Sequence, residues 1–258
     1  MESTYKTLAE HIVRLYQKRQ NEYLPHSGNV PTIPRNNNNN TGLNKSSATN
    51  GDVRILIALA GPPGSGKSTI AEQVVQTLGA IPFAPKTVSV SIDGFHLPLA
   101  TLHAMPNAAE AIARRGAPWT FDADGAVALV KDLGSSFGVR DIAVPTFDHA
   151  IKDPVAGGQI VKADVQVCIL EGNYLLSDEG SWSEIADLVD QRWLVKVDPL
   201  LARTRVATRH LAAGIEPSMD LALARTEYND IPNGEYVAQH SQGRYDLLIE
   251  SIEEPRND

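Results

Sequence analysis

Cysteine is almost missing: Cys168 stands alone in 258 residues. That excludes a disulfide scaffold and a zinc site built from several thiolates. Long apolar runs are missing too, since none approaches the roughly 20 residues that cross a bilayer. The opening residues MESTYKTLAEH have neither an apolar signal core nor the acid-poor character of a transit peptide. Positive charge is in deficit: 23 Lys and Arg face 31 Asp and Glu, a net charge of -8. The deficit is uneven. Residues 1–52 carry six basic and four acidic groups, which leaves 17 basic and 27 acidic groups for the rest. Such an acidic body lacks the basic footprint of a nucleic-acid surface. The expectation is a cytoplasmic protein, monomer or homodimer, without nucleic-acid or membrane partners. A small anionic ligand held by a few local donors stays compatible with this charge.

What is present falls into four parts. Tyr5, Leu8, Ile12, Leu15 and Tyr16 recur at spacings of three and four, which predicts an amphipathic helix within residues 1–23. Its apolar face is expected to pack on the body of the protein, with a partner-binding helix as the alternative. Residues 24–52 hold three prolines and the run Asn36 to Asn40, the composition of a flexible linker. Residues 53–252 form one domain, and 253–258 a tail. Ile55 to Ala60 is a continuous apolar run, as in a parallel strand buried on both faces. Further strands are predicted at 87–92, 142–144, 165–170, 193–197 and 245–249, with helices at 67–78, 123–133, 200–213 and 219–228. Gly157-Gly158 reads as a hairpin turn. The alternation predicts an α/β fold of three layers around a mainly parallel sheet.

Gly61-Pro62-Pro63-Gly64-Ser65-Gly66-Lys67-Ser68 matches G-x-x-x-x-G-K-[ST], and Thr69 follows. Glycines let backbone N–H groups wrap around phosphate oxygens. The helix that follows turns its positive end to the same charge. Lys67 reaches the β/γ-phosphates and Ser68 ligates Mg²⁺. The motif therefore predicts ATP and Mg²⁺ in a P-loop NTPase fold.

Other segments narrow the class. Asn44-Lys45 lacks the aspartate of a GTPase base-reading motif, and Val155 to Gln159 lacks the serine of a transporter signature. A small-molecule kinase needs a base beside the phosphate loop. Asp93, at the end of the strand preceding Gly94-Phe95-His96, supplies one. Glu171 ends another strand and can hold the metal. Arg205 and Arg209 share one face of the helix 200–213, near Arg203, which makes that helix a candidate lid whose guanidiniums neutralise developing charge.

Together these stretches resemble the phosphoribulokinase/uridine kinase family of P-loop kinases, which also includes bacterial-type pantothenate kinase. GPPGSGKST, SIDGFHLP, RRGAPWTFDADG, and VPTFDHAIKDPV with ILEGNYLL carry the resemblance, over about residues 53–252. TRHLAAGI and YNDIPN look most like a fungal and bacterial subgroup. The resemblance implies a kinase fold with a lid, ATP as donor, Asp93 as base and Glu171 near Mg²⁺. It implies acceptor contacts at Asp148 and His149, and a nucleotide-base contact at Asn233. His96 and Arg114 are further candidate substrate residues. Phe147 and Asp148 depart from the tyrosine and serine of pantothenate kinases, and from the spacing in uridine kinases. The expected activity is transfer of the ATP γ-phosphate to a hydroxyl of a nucleoside, sugar or pantothenate-like metabolite. The alternative is a non-catalytic ATP-binding regulatory or scaffold protein.

Overall fold

The computed structural model describes residues 1–23 and 54–253. The predicted linker and most of the predicted tail lie outside them. In chain order the elements are α1 (Glu2–Tyr23), β1 (Ile55–Ala60), α2 (Lys67–Gly79), β2 (Thr87–Ser91), α3 (Leu99–His103), α4 (Ala108–Ala113) and α5 (Ala123–Ser135). There follow β3 (Ile142–Asp148), β4 (Asp153–Val161), β5 (Val167–Gly172), α6 (Ile185–Leu188), β6 (Gln191–Val197), α7 (Pro199–Ala212), α8 (Met219–Arg225), α9 (Ile231–His240) and β7 (Leu247–Ser251).

Five strands pair in the order β2-β5-β1-β6-β7, and every pairing is parallel. The apolar run of β1 explains its central place: both faces are covered, and all six residues are buried. Side chains alternate across the sheet. Leu56, Ala58 and Ala60 enter one core with Val130 and Leu133 of α5. Ile55, Ile57 and Leu59 enter the other with Val74 and Leu78 of α2. The result is three layers.

α1 belongs to the second core. Tyr5, Leu8, Ala9 and Ile12 are buried there, beside Trp193 and Ile249. Polar contacts fix its seat at the start of β6: His11 Nε2 meets Gln191 Oε1 at 3.1 Å, and Arg19 pairs with Asp190. The body is fastened from the other side by Arg54, which is 1% exposed. Its guanidinium donates to the carbonyls of Val165, Leu133 and Lys162 and to Ser136 Oγ, each at 2.9 Å. The buried charge thus meets the carbonyl end of α5, the negative end of a helix dipole.

β3 and β4 stand apart as an antiparallel pair. Their turn is at 149–152, so the hairpin turn expected at Gly157-Gly158 is misplaced. Those glycines form a bulge inside β4, where the register shifts between Val144 and Thr146. A Cβ on Gly158 would stand 1.9 Å from Thr146 Oγ1, so the strands approach only because that position is glycine.

Replacing Ile12 by alanine should lower unfolding free energy by about 2–5 kcal/mol, the usual cost of emptying a buried aliphatic site. Urea denaturation reads this. An unchanged midpoint would mean that α1 is not part of the cooperative unit.

Candidate active site

Parallel pairing brings three loop ends to one edge. Ala60 lies opposite Gly172, and Ser91 opposite Glu171. The phosphate loop therefore leaves β1 beside Glu171, and Asp93 follows β2 next to it. The loop itself is a backbone cradle. Gly64 and Gly66 have φ of 77° and 83°, which side chains rarely adopt. Gly66 starts α2 with no side-chain cap, so the first N–H groups of that helix stay free for an anion. The Ser65 hydroxyl is buried and has no hydrogen-bond partner. α7 lies against the loop: a Cβ on Gly64 would meet the Ala202 carbonyl at 2.6 Å.

Lys67 is 8% exposed and donates to the Pro62 carbonyl at 3.1 Å. Burial pulls its pKa down to about 8, against the attraction of Glu171 and Asp93, and Arg209 pushes the same way as burial. Lys67, Glu171, Asp93 and Arg209 therefore stand in one field. Glu171 is held above the usual carboxylate range by burial and by Asp93, while Lys67 and hydrogen bonds with Ser91 and Ser68 oppose the rise. Ser68 and Glu171 so present two hard oxygen donors side by side, the donor type that Mg²⁺ takes with phosphate and water. Glycine cradle, orphaned Ser65 hydroxyl and oxygen pair fit a magnesium nucleotide.

Asp93 sits in a 3-10 turn over Ile92–Phe95, started by Ser91 Oγ accepting from the Asp93 amide at 3.3 Å. A Cβ on Gly94 would lie 2.0 Å from the Pro145 carbonyl. Glycine is required there so that β3 can cross directly over the turn. His96 Nδ1 meets the Asp93 carbonyl at 2.8 Å. Its ring lies 4.0 Å from that of Phe121 and 4.9 Å from that of Phe147, and His149 stacks edge-on against Phe147. Burial lowers the His96 pKa. His96, Phe147 and His149 thus form a wall beside Asp93.

The other expected site residues, Arg209 apart, have partners within the protein. Arg205 donates to Ser251 Oγ at 2.9 Å, to the Ile252 carbonyl at 3.0 Å and to the Gly64 carbonyl at 3.4 Å. It braces the loop to the end of β7. Arg209 is exposed and has no ion pair among the described residues. Arg203 is taken by Glu227. Asp148 caps the hairpin turn, accepting from the Ala150 amide at 2.7 Å. Arg114 reaches the Tyr228 carbonyl and Asn233 Oδ1. Asn233 is 2% exposed, in the helix whose Gly234 abuts Pro62. Arg115, next to Arg114 in the sequence, has a structural part of its own. It bonds Asp153 at 2.8 Å and the Leu97 carbonyl at 2.9 Å, and lies 5.3 Å over the Phe147 ring, so it ties the β3–β4 hairpin to the segment that carries His96.

The model of the Phosphoribulokinase / Uridine kinase family matches residues 56–205. The chain belongs to this family. A Schizosaccharomyces pombe protein named as a candidate uridine kinase is 40% identical over 188 residues, covering 72% of this chain and 79% of that protein. A Silicibacter candidate fructose transport system kinase has 32% identity and a TM-score of 0.68, over 76% of this chain and 89% of that one. YFH7 of Saccharomyces cerevisiae, described as a candidate P-loop-containing kinase with a circular permutation, reaches a TM-score of 0.75 at 20% identity over 97% and 99% of the two chains, which shows shared fold. Membership makes the protein a P-loop kinase of the uridine kinase/phosphoribulokinase type. The family match stops at Arg205, so Arg209, α8 and α9 lie beyond it.

A phosphate ligand favours the charged ammonium, so Lys67 with its pKa near 8 should take up a proton on binding nucleotide above that pH. Affinity for Mg-ATP should fall as pH rises from about 7 to 9. Calorimetry at pH 8 in buffers of different ionisation enthalpy should report proton uptake. A flat profile with no uptake would contradict a phosphate contact at the buried Lys67 ammonium.

Proposed function

We propose that this chain is an ATP-dependent kinase that transfers the γ-phosphate to a hydroxyl of a small metabolite. One observation carries the reading: Lys67, Glu171 and Asp93 share one electrostatic field at the carboxyl ends of three adjacent strands. Ligands of open α/β sheets bind at that edge.

Residues Gly61 to Thr69 cradle the phosphates, and Lys67 and Arg209 face the transferring group. The Asp93 carboxylate accepts no hydrogen bond from the described residues, so it is available to take the proton of the acceptor hydroxyl. As that proton moves to Asp93, the hydroxyl oxygen bonds the γ-phosphorus. The bond to the bridging oxygen breaks, and its electron pair leaves with ADP. Mg²⁺ held by Ser68 and Glu171 would supply charge neutralisation at the phosphates. The aromatic wall of His96, Phe147 and His149 orients the acceptor and excludes water. Names of related proteins refer to a nucleoside in one case and a sugar transport system in another, and both kinds of compound bear hydroxyls. The scaffold alternative rests on the leader helix and the linker, and of these α1 places its apolar face inside the core.

Asp93→Asn tests the assignment. It should bind Mg-ATP within about twofold of the parent, yet lose about 100-fold or more of acceptor-dependent ADP release. A panel of nucleosides, sugars and vitamins supplies the acceptors. Preserved turnover would remove the base role.

A further inference from the structure

Between α8 and α9 the chain makes one π-turn, Thr226–Asp230. Such turns are rare and cluster at functional sites. Four consecutive residues of this one divide between two partners, the outer two meeting α7 and the inner two the turn at 114–115. Glu227 pairs with Arg203 of α7. The Tyr228 carbonyl accepts from Arg114. Asn229 Nδ2 donates to the Arg115 carbonyl at 2.9 Å. Asp230 Oδ2 meets His210 Nε2 of α7 at 2.9 Å. Glu227 and Asp230 are three positions apart, so both can face α7 while the two residues between them face the turn at 114–115.

Both partners lead to the site. His210 follows Arg209 in the last turn of α7, and its side chain is 9% exposed. Its carbonyl also accepts from the Ile215 amide at 2.9 Å. The last turn of α7 is thus held from two directions, and Arg209 goes where that turn goes. On the other side Arg115 pins Asp153 and lies over Phe147, in the acceptor wall.

We propose that the π-turn is a yoke between phosphate site and acceptor wall. Asp230, acting through His210, is the positioning residue that sets Arg209 beside Lys67. Asn229 references the same placement to the turn that carries Arg115. The proposal rests on the reading of Arg209 as a phosphate ligand. It adds that this reach is set by a residue 21 positions later in the chain, outside the stretch matched by the family.

Binding measurements test it without any acceptor. Calorimetry with Mg²⁺ compares a non-hydrolysable ATP analogue with ADP. Arg209→Ala should lose the preference for the analogue by about fivefold or more, and Asp230→Ala should lose about as much. The double variant should lose no more than either alone. Asp230→Asn, which can still hydrogen-bond His210, should keep most of the preference. General destabilisation would weaken both ligands alike and leave the ratio untouched. Should Asp230→Ala fail to fold, His210→Phe keeps the ring volume, removes the donor and decides in its place. A parental ratio in Asp230→Ala or His210→Phe, with loss in Arg209→Ala, would overturn the yoke alone. A parental ratio in Arg209→Ala would overturn the phosphate role of Arg209 and the yoke with it.

Discussion

β5 lies between β1 and β2, and its parallel register with both decides where every chemical group can stand. Glu171 sits opposite Leu59 on one side and Ser91 on the other. The loop after β1 and the turn after β2 must then open at the same edge. A slip of one residue would reverse the side-chain faces of a strand and carry Glu171 away from Ser68. Burial guards against that slip, because all six residues of β1 and all six of β5 are buried. The helices on either face, α1 included, pay for the register through the apolar area they cover.

That edge also explains how an acidic protein handles an anion. Net charge describes a solvated surface, whereas the site is set by burial. Lys67 is buried next to two carboxylates, and burial still outweighs their attraction. Such an ammonium gains strongly from a phosphate partner. Arg209 stands in the same field and Arg205 ties the loop to β7, so one helix contributes both a cation without an ion pair among the described residues and a structural one.

Much of this was legible in the sequence. The run Ile55 to Ala60 and the glycine loop after it state the strand, the cradle and the class of ligand. The placement of Asp93 just after β2 and of Glu171 near the end of β5 was readable from the strand pattern. The rest depended on contacts between distant segments. Gly157-Gly158 carries the chemistry of a turn, yet the turn formed where Asp148 could cap it, and the glycines served a close strand approach. α9 escaped notice because Pro232 and Gly234 look like helix breakers; Pro232 lies in the first turn, where proline costs nothing, and Gly234 abuts Pro62. The tasks of Arg114, Arg115 and Arg205 are set by carbonyls far along the chain, which no local pattern marks. The π-turn likewise has no sequence signature.

The central claim is that this edge moves a phosphoryl group onto a hydroxyl. Phosphorus NMR of the protein with Mg-ATP and pooled hydroxyl-bearing metabolites tests it most directly. A new phosphomonoester resonance should grow in step with ADP, and only in pools containing the acceptor. ATP left intact in every pool, or inorganic phosphate as the sole product, would contradict the account.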